Sequence, residues 1–490
     1  MTTIPDDVTT RYEAVIGLEV HVELATATKM FCACATEFGG EPNSRTCPVC
    51  LGLPGSLPVP NRAAIEAAVR LGLALDCDVA PSSRFHRKNY FYPDMPKNYQ
   101  ISQYDVPICS DGRLEVDVDG EPTTVGITRV HMEEDTGKSL HVGGTGRIAG
   151  SDHSLIDYNR AGIPLLEIVS EPDIRSAAQA RAYLAELRAI VLALGISDAK
   201  LEEGSMRCDA NVSLRPRDTQ AYGTRVEIKN MNSLRSLQRA VDYEIRRHTE
   251  RLEAGDPVVQ ETRHWDEDAG ATSTLRAKEE VFDYRYFPDP DLVPVEPDAA
   301  RIEELRVGLP ELPAAQRRRL VDDLGIEAEQ ARTLVGSGLA SVLDDASAAG
   351  ADAPTAAKWL ANEITSWCHD QGIEPADAPI EGSALAELLA MVEEGTLSTK
   401  LARAALDGVL AGEGSPREVA QARGLEQVSD EGELERLVDE AIASQPEAAE
   451  KVRGGNDKAI GALVGAVMKA SQGQANPQRV NELLRDRLAN

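Results

Sequence analysis

From Tyr12 to Leu24 the chain alternates without interruption. Tyr12, Ala14, Ile16, Leu18, Val20, Val22 and Leu24 take the even positions, while Glu19, His21 and Glu23 fall on odd ones. Successive side chains of a strand point to opposite faces, so this segment reads as a strand with one apolar and one ionisable face. The pattern returns at 209–215, where Asp209, Asn211, Ser213 and Arg215 oppose Ala210, Val212 and Leu214. It returns again at 224–229, where Arg225, Glu227 and Lys229 oppose Thr224, Val226 and Ile228. Such strands share a core on one side. The other side is either a solvated outer face or the lining of a polar cleft, and acids mixed with His, Asn and Lys on several strands favour the cleft.

Helices interrupt these strands. Asn61 can cap 62–75, Ser176 can cap 177–194 with Gly195 as the stop, and Asn232 or Ser233 can cap a helix to about Glu253. The first part is therefore α+β, built around an antiparallel sheet. At 287–298 the sequence FPDPDLVPVEPD places four prolines in twelve residues and marks a break near 295. Beyond it the stretches 313–323, 326–337, 354–371, 382–394 and 400–411 carry apolar residues at helical spacing. GEGSP at 412–416 reads as a short linker. The expected organisation is a sheet domain over 1–294, an all-α domain over 295–411 and a helical tail over 412–490.

At 490 residues the chain is too long for a single core. A net charge of −30 argues against a protein that mainly wraps a phosphate backbone, and 4% aromatics argue against stacking many bases. The sign reverses locally. Residues 451–490 hold seven bases against three acids, a net +4, whereas 411–450 hold three against eleven, a net −8. That is either an ordinary basic helix face or a local anion-binding surface. MTTIPDDVTTRYEA lacks the features of an export signal, and no apolar run of about 18 residues is present, so the expected compartment is the cytoplasm, with no membrane partner.

Four of the eight cysteines cluster. Cys32, Cys34, Cys47 and Cys50 form C-x-C, twelve residues, then C-x-x-C. Two close pairs joined by a loop suit a structural Zn²⁺ with no open position; the alternative is four reduced thiols in a loop. A second constellation joins Glu19, His21 and Glu23 to His131, Glu133, Glu134 and Asp135 of HMEEDTGKS. Carboxylates converging from two strands suit Mg²⁺, which takes oxygen ligands and keeps waters for phosphates; a solvated acidic face is the alternative. Lys88 and Lys97, in FHRKNYFYPDMPKNYQ, are either surface lysines or contacts for a triphosphate. DTGKS is not a P-loop, because the first glycine of that pattern is replaced by Met132, and GGTG at 143–146 fails as a dinucleotide motif at Ala149. There is no G-x-S-x-G elbow and no serine-glycine amidase loop, so the chain is not expected to hydrolyse an amide itself.

Together the stretches VIGLEVHVEL (15–24), TCPVCLGLPGSLPV (46–59), RKNYFYPDMPKNYQISQYD (87–105), HMEEDTGKS (131–139), DYNRAGIPLLEIVSEPD (157–173), EGSMRCDANVSLRP (203–216), VEIKNMNS (226–233), DYRYFPDPDLVPV (283–295) and GALVGAVMKASQGQANPQRVNELL (461–484) resemble the B-subunit family of the tRNA-dependent amidotransferases. The resemblance implies a kinase-like cradle, a helical domain and a tail that grips tRNA. It implies ATP-dependent phosphorylation of the side-chain carboxylate of Glu-tRNA(Gln) or Asp-tRNA(Asn), followed by amidation. The ammonia would come from a glutaminase partner, the amidase component of the amidotransferase, and a third, small component would stabilise the pair. By the same resemblance Glu19, His21, Glu133, Glu134 and Asp157 are candidates for the Mg²⁺ site. Lys88, Lys97 and Glu134 are candidates for catalysis. Asp209, Asn211, Glu227 and Lys229, with Lys88, are candidates for lining the ATP cleft. A non-catalytic adaptor that holds tRNA and stabilises the amidase is the competing expectation.

Overall fold

The computed structural model describes residues 11–118, 120–143, 150–277, 283–425, 431–454, 459–471 and 474–489. The first ten residues, Gly144 to Gly146 of the glycine run, and Lys458 of the basic tail lie outside the described residues. The chain divides into two compact units at Pro313/Ala314.

The first unit is organised by one sheet, which among the described residues has nine strands. In chain order the strands of the unit are β1 (Tyr12–Glu23), β2 (Asp78–Val79), β3 (His86–Asn89), β4 (Tyr99–Ser102), β5 (Cys109–Val118), β6 (Glu121–Glu134), β7 (Lys138–Val142), β8 (His153–Asp157), β9 (Pro164–Ser170), β10 (Met206–Pro216), β11 (Val226–Met231), β12 (Glu261–Asp266), β13 (Ala271–Ala277) and β14 (Phe287–Pro288). The large sheet runs β13-β12-β11-β10-β1-β9-β6-β5-β2, so β1 lies near its middle, between β10 and β9. A smaller sheet, β14-β3-β4, lies beside β6, and β7 pairs with β8.

The alternation in β1 has the expected consequence. Ile16, Leu18, Val20 and Val22 are fully buried in the core, while Glu19, His21 and Glu23 occupy the opposite face. Each such aliphatic side chain contributes about 1.5–3 kcal/mol by leaving water. Three helices cover the apolar face: α1 (Arg62–Ala74), α2 (Ala177–Ala193) and α3 (Leu234–Glu253). Their starts follow from their caps. Asn61 accepts from the N–H groups of Ala63 and Ala64, Ser176 from that of Gln179, and Ser233, not Asn232, from that of Ser236.

The sheet is not wholly antiparallel, which corrects the expected class to a mixed sheet. β11 and β12 run parallel because α3 carries the chain back across the sheet between them. The first core also extends past the proline-rich break at 295. Ile302, Leu305, Leu309 and Leu312 pack against it, so the compact division falls 18 residues later, after Pro313. Prolines end regular structure without ending a core.

The second unit is helical. One apolar core gathers residues from Leu320 to Ala420 and a separate one residues from Leu434 to Leu488. The helix Pro416–Ala422, opened by a capping box between Ser415 and Glu418, packs Val419 and Ala420 into the former. The core division therefore lies beyond the GEGSP linker expected at 412–416, because that linker is only a turn within the first of the two cores. Among the described residues no helix is long and apolar enough to cross a membrane.

The crossover helix α3 is tied down by a buried acid. The carboxylate of Glu244 lies 2.7 Å from Arg247, 3.1 Å from Arg263 and 3.2 Å from His248, and accepts from the Thr272 hydroxyl. Burial opposes its charge, but His248, Arg247 and Thr272 outweigh burial and hold its pKa down to about 2. Removing one partner of a buried ion pair costs about 3–5 kcal/mol, so Glu244→Ala should lower the stability of the first unit by that order in denaturant titrations. A depressed carboxylate stabilises fully above its unfolded pKa and loses that contribution as pH falls toward its folded value. Glu244→Gln should therefore flatten the stability profile between about pH 4.5 and 2 relative to the parent chain.

Candidate active site

Antiparallel register brings distant residues into one row. His21 of β1 is opposite Glu167 of β9, and Glu167 is opposite His131 of β6. The Nε2 atoms of His21 and His131 each lie 3.4 Å from Glu167 Oε2, and His131 Nε2 lies 3.4 Å from Glu133 Oε1. One ligand atom each from His21, Glu133 and Glu167 can be chosen so that all lie within 4.8 Å of one another. Glu133 is held from the smaller sheet: Ser102 Oγ donates to Oε1 at 2.7 Å and Gln100 Nε2 to Oε2 at 3.2 Å.

Burial works against every charge in this cluster. Even so, the charge of His131 keeps Glu167 well below the usual carboxylate range, and hydrogen bonding with His131 keeps Glu133 low. Conversely Glu167 draws His131 up to about 9, and raises His21. Two carboxylates are thus bracketed by two imidazoles at the centre of a sheet. Two carboxylate oxygens and an imidazole nitrogen are a sound donor set for a divalent ion.

Lys88 projects from β3 toward the same carboxylates. Its Nζ lies 5.3 Å from the ring centre of Tyr284, and despite burial the charges of Glu133 and Glu167 keep it protonated well up the scale. On the other flank Asn211 Nδ2 donates to Glu19 Oε1 at 2.9 Å. Lys229 pairs with Asp209 and lies 3.0 Å from Glu227, which accepts from Thr262 Oγ1 at 2.7 Å. Glu19 is pushed up by burial and by Glu167, showing that it adjoins the same negative centre.

Two expected ligands lie elsewhere. Glu134 follows Glu133 on β6, so its side chain leaves by the opposite face. There it pairs with Lys97 and accepts from the Ile101 N–H at 2.9 Å, lining a small cavity with Lys29, Cys32 and Cys50. Asp157 accepts from the N–H groups of Asn43 and Asn159, at 2.9 and 3.0 Å, and so fixes the loop before Cys47. Glu23 and Asp135 form a third neighbourhood. Burial and a shared hydrogen bond with Asp135 push Glu23 up to about 8, while Arg207 lies 2.9 Å from Asp135. The HMEED run therefore serves separate places. Glu167 was missed by the sequence reading, although it is the lone acid in the apolar strand Pro164–Ser170.

The four cysteines converge. One Sγ from each of Cys32, Cys34, Cys47 and Cys50 lies within 4.8 Å of the others, and the Cys47–Cys50 pair is 3.9 Å apart. Tetrahedral Zn²⁺ with bonds of about 2.3 Å sets thiolates about 3.8 Å apart, so the donor set fits the ion. Cys32 donates to Cys50, which draws the Cys50 thiol down against burial, with help from the Cys47 N–H and the nearby Lys29 charge. Lys29 is itself buried and donates to the carbonyls of Arg45 and Tyr158, at 2.9 and 3.1 Å. Gly52, just past Cys50, has a φ of +65°, and a Cβ there would meet Lys97 Cγ at 2.5 Å. The cysteine loop is thereby pressed onto the lysine that pairs with Glu134.

Two family models match the chain. The GatB/GatE catalytic domain matches residues 14–303, and the GatB domain matches residues 341–488. The B subunit of an aspartyl/glutamyl-tRNA(Asn/Gln) amidotransferase from Frankia casuarinae is 58% identical over 98% of this chain and 97% of its own length. Proteins of the same description from a Nocardioides species and from Moorella thermoacetica are 55% and 54% identical, over 99% and 97% of this chain and 98% and 100% of their own lengths.

Chain purified without chelators should carry about one zinc per molecule by elemental analysis, as four thiolates saturate one tetrahedral ion. Cys47→Ser should lose most of that metal and lower the melting temperature. Folded, metal-free protein with an unchanged melting temperature would show that the cluster is only a set of thiols.

Proposed function

The chain belongs to the B-subunit family of the aspartyl/glutamyl-tRNA(Asn/Gln) amidotransferases, and on that premise we propose that it performs the ATP-dependent half of the reaction in a kinase-like cradle. A carboxylate is a poor acceptor for ammonia, since displacing oxide from it is prohibitive. Transfer of the terminal phosphoryl group of ATP to the side-chain carboxylate of Glu-tRNA(Gln) or Asp-tRNA(Asn) gives an acyl phosphate and ADP. Ammonia then attacks the acyl carbon, the C–O bond to phosphate breaks, and amide and inorganic phosphate result. The glutaminase that supplies ammonia is the partner amidase, and a third, small component completes the assembly.

One observation carries this reading: His21, Glu133 and Glu167 converge on the polar face of the sheet with Lys88 beside them. In it, His21, Glu133 and Glu167 hold Mg²⁺. The ion, when bound, supplies positive charge against phosphate oxygens. Ser102 and Gln100 orient Glu133, and Lys88 neutralises a phosphate oxygen as charge shifts during transfer, so positioning and electrostatics do most of the catalysis. Glu19, Asp209, Asn211, Glu227 and Lys229 extend the cleft along the sheet. Lys97 and Glu134, with Asp157, stand apart beside the cysteine loop, where they set its position. The basic tail helices contribute affinity for the tRNA body, and the enzyme works in the cytoplasm.

The test uses the assembled complex with its partner proteins. Glu133→Gln, or Lys88→Met, should lower ATP-dependent amidation of misacylated tRNA by about a hundredfold or more. Glutaminase turnover by the partner and tRNA affinity should stay within about twofold. Wild-type amidation by Glu133→Gln would remove the cluster from the chemistry and favour an adaptor that only holds tRNA.

A further inference from the structure

Lys29 is buried where a lysine rarely is. The residue is 1% exposed, and an ammonium withdrawn so far from water is costly unless its charge is met. Its two side-chain hydrogen bonds among the described residues go to the carbonyls of Arg45 and Tyr158. Those are neutral acceptors. They occupy two of its three donors and leave its charge unbalanced. The carboxylate that lines the same small cavity, Glu134, is already paired with Lys97.

What lies beside Lys29 is sulfur. Cys32 and Cys50 line that cavity with it. A Cβ built on Gly162 would meet Lys29 Cδ at 3.4 Å and Cys50 Cβ at 3.7 Å, so both side chains close on one point. The Lys29 N–H donates to the Cys34 carbonyl at 2.9 Å, which ties its backbone to the first thiol pair. Its Nζ is held by Arg45, two residues before Cys47, which ties its charge to the second. The lysine thus joins both arms of the cysteine loop. Four thiolates on one Zn²⁺ leave two negative charges in excess, and these too are costly against a protein wall.

We propose that Lys29 is the counter-charge of the four-cysteine centre, its ammonium offsetting the excess negative charge of a zinc tetrathiolate and so tightening the loop's hold on the ion. The carbonyls fix where the ammonium stands, and its charge acts on the metal. This rests on the reading of the four cysteines as a zinc site. It makes Lys29 a residue that positions charge rather than a ligand, and it accounts for the burial of both groups at once.

The experiment is zinc affinity of the full chain, measured by competition with a chromophoric chelator, for Lys29→Gln and Lys29→Met. Glutamine keeps a donor for the carbonyls and loses the charge, whereas methionine loses both. The zinc dissociation constant should rise roughly tenfold or more in both variants, as is usual when a group that supports metal ligands is removed. Should the methionine variant fail to fold, the glutamine variant alone decides. A dissociation constant within twofold of the parent in Lys29→Gln would overturn the proposal, even if Lys29→Met were weakened, because Lys29 would then act only by tying down carbonyls. A parent chain that took up no zinc would remove the centre itself. That outcome is separable from the first, because it is read on the parent alone.

Discussion

Everything at the site depends on burying negative charge in the middle of a sheet. Two carboxylates, Glu133 and Glu167, sit within reach of each other on adjacent strands, where like charges repel and solvent is largely excluded. Such a pair persists only if positive charge is supplied. The fold supplies it as His21 and His131, held by strand register, and as Lys88 reaching across from the smaller sheet. Two carboxylate oxygens and an imidazole nitrogen so placed form a donor set that a divalent ion could use.

The same strand geometry explains why neighbouring residues have different work. Glu133 and Glu134 are consecutive, yet one faces the histidines and the other faces Lys97 beneath the cysteine loop. The loop is pinned by Lys29, by Asp157 and by the close approach of Gly52 to Lys97. A zinc ion bound there would stiffen this wall without touching the carboxylate cluster on the other face. The two centres are thus linked through a single strand, β6, and a change that moves β6 should be felt at both.

Much of this was legible in the residues. The alternation of β1 fixed which side chains face the cleft, and the cysteine spacing announced a converging set of thiols. Other features were not legible. Register between non-consecutive strands cannot be read from periodicity, so Glu167 stayed hidden in an apolar strand until β9 was set between β1 and β6. A dense run such as HMEED invites grouping, but period-two geometry splits it, sending Glu134 to another face. Packing also decides boundaries: prolines at 288–297 break regular structure, yet Leu309 and Leu312 still belong to the first core. The parallel pairing of β11 with β12 depends on where α3 crosses, which local sequence does not state.

The central claim is that His21, Glu133 and Glu167 hold a divalent ion, and it can be seen directly with a paramagnetic substitute. Pulsed electron paramagnetic resonance of the assembled enzyme loaded with Mn²⁺ and ADP should show one bound ion coupled to an imidazole nitrogen. That coupling should vanish in His21→Ala. An ion with no nitrogen coupling in the parent, or with the coupling intact in His21→Ala, would contradict the account.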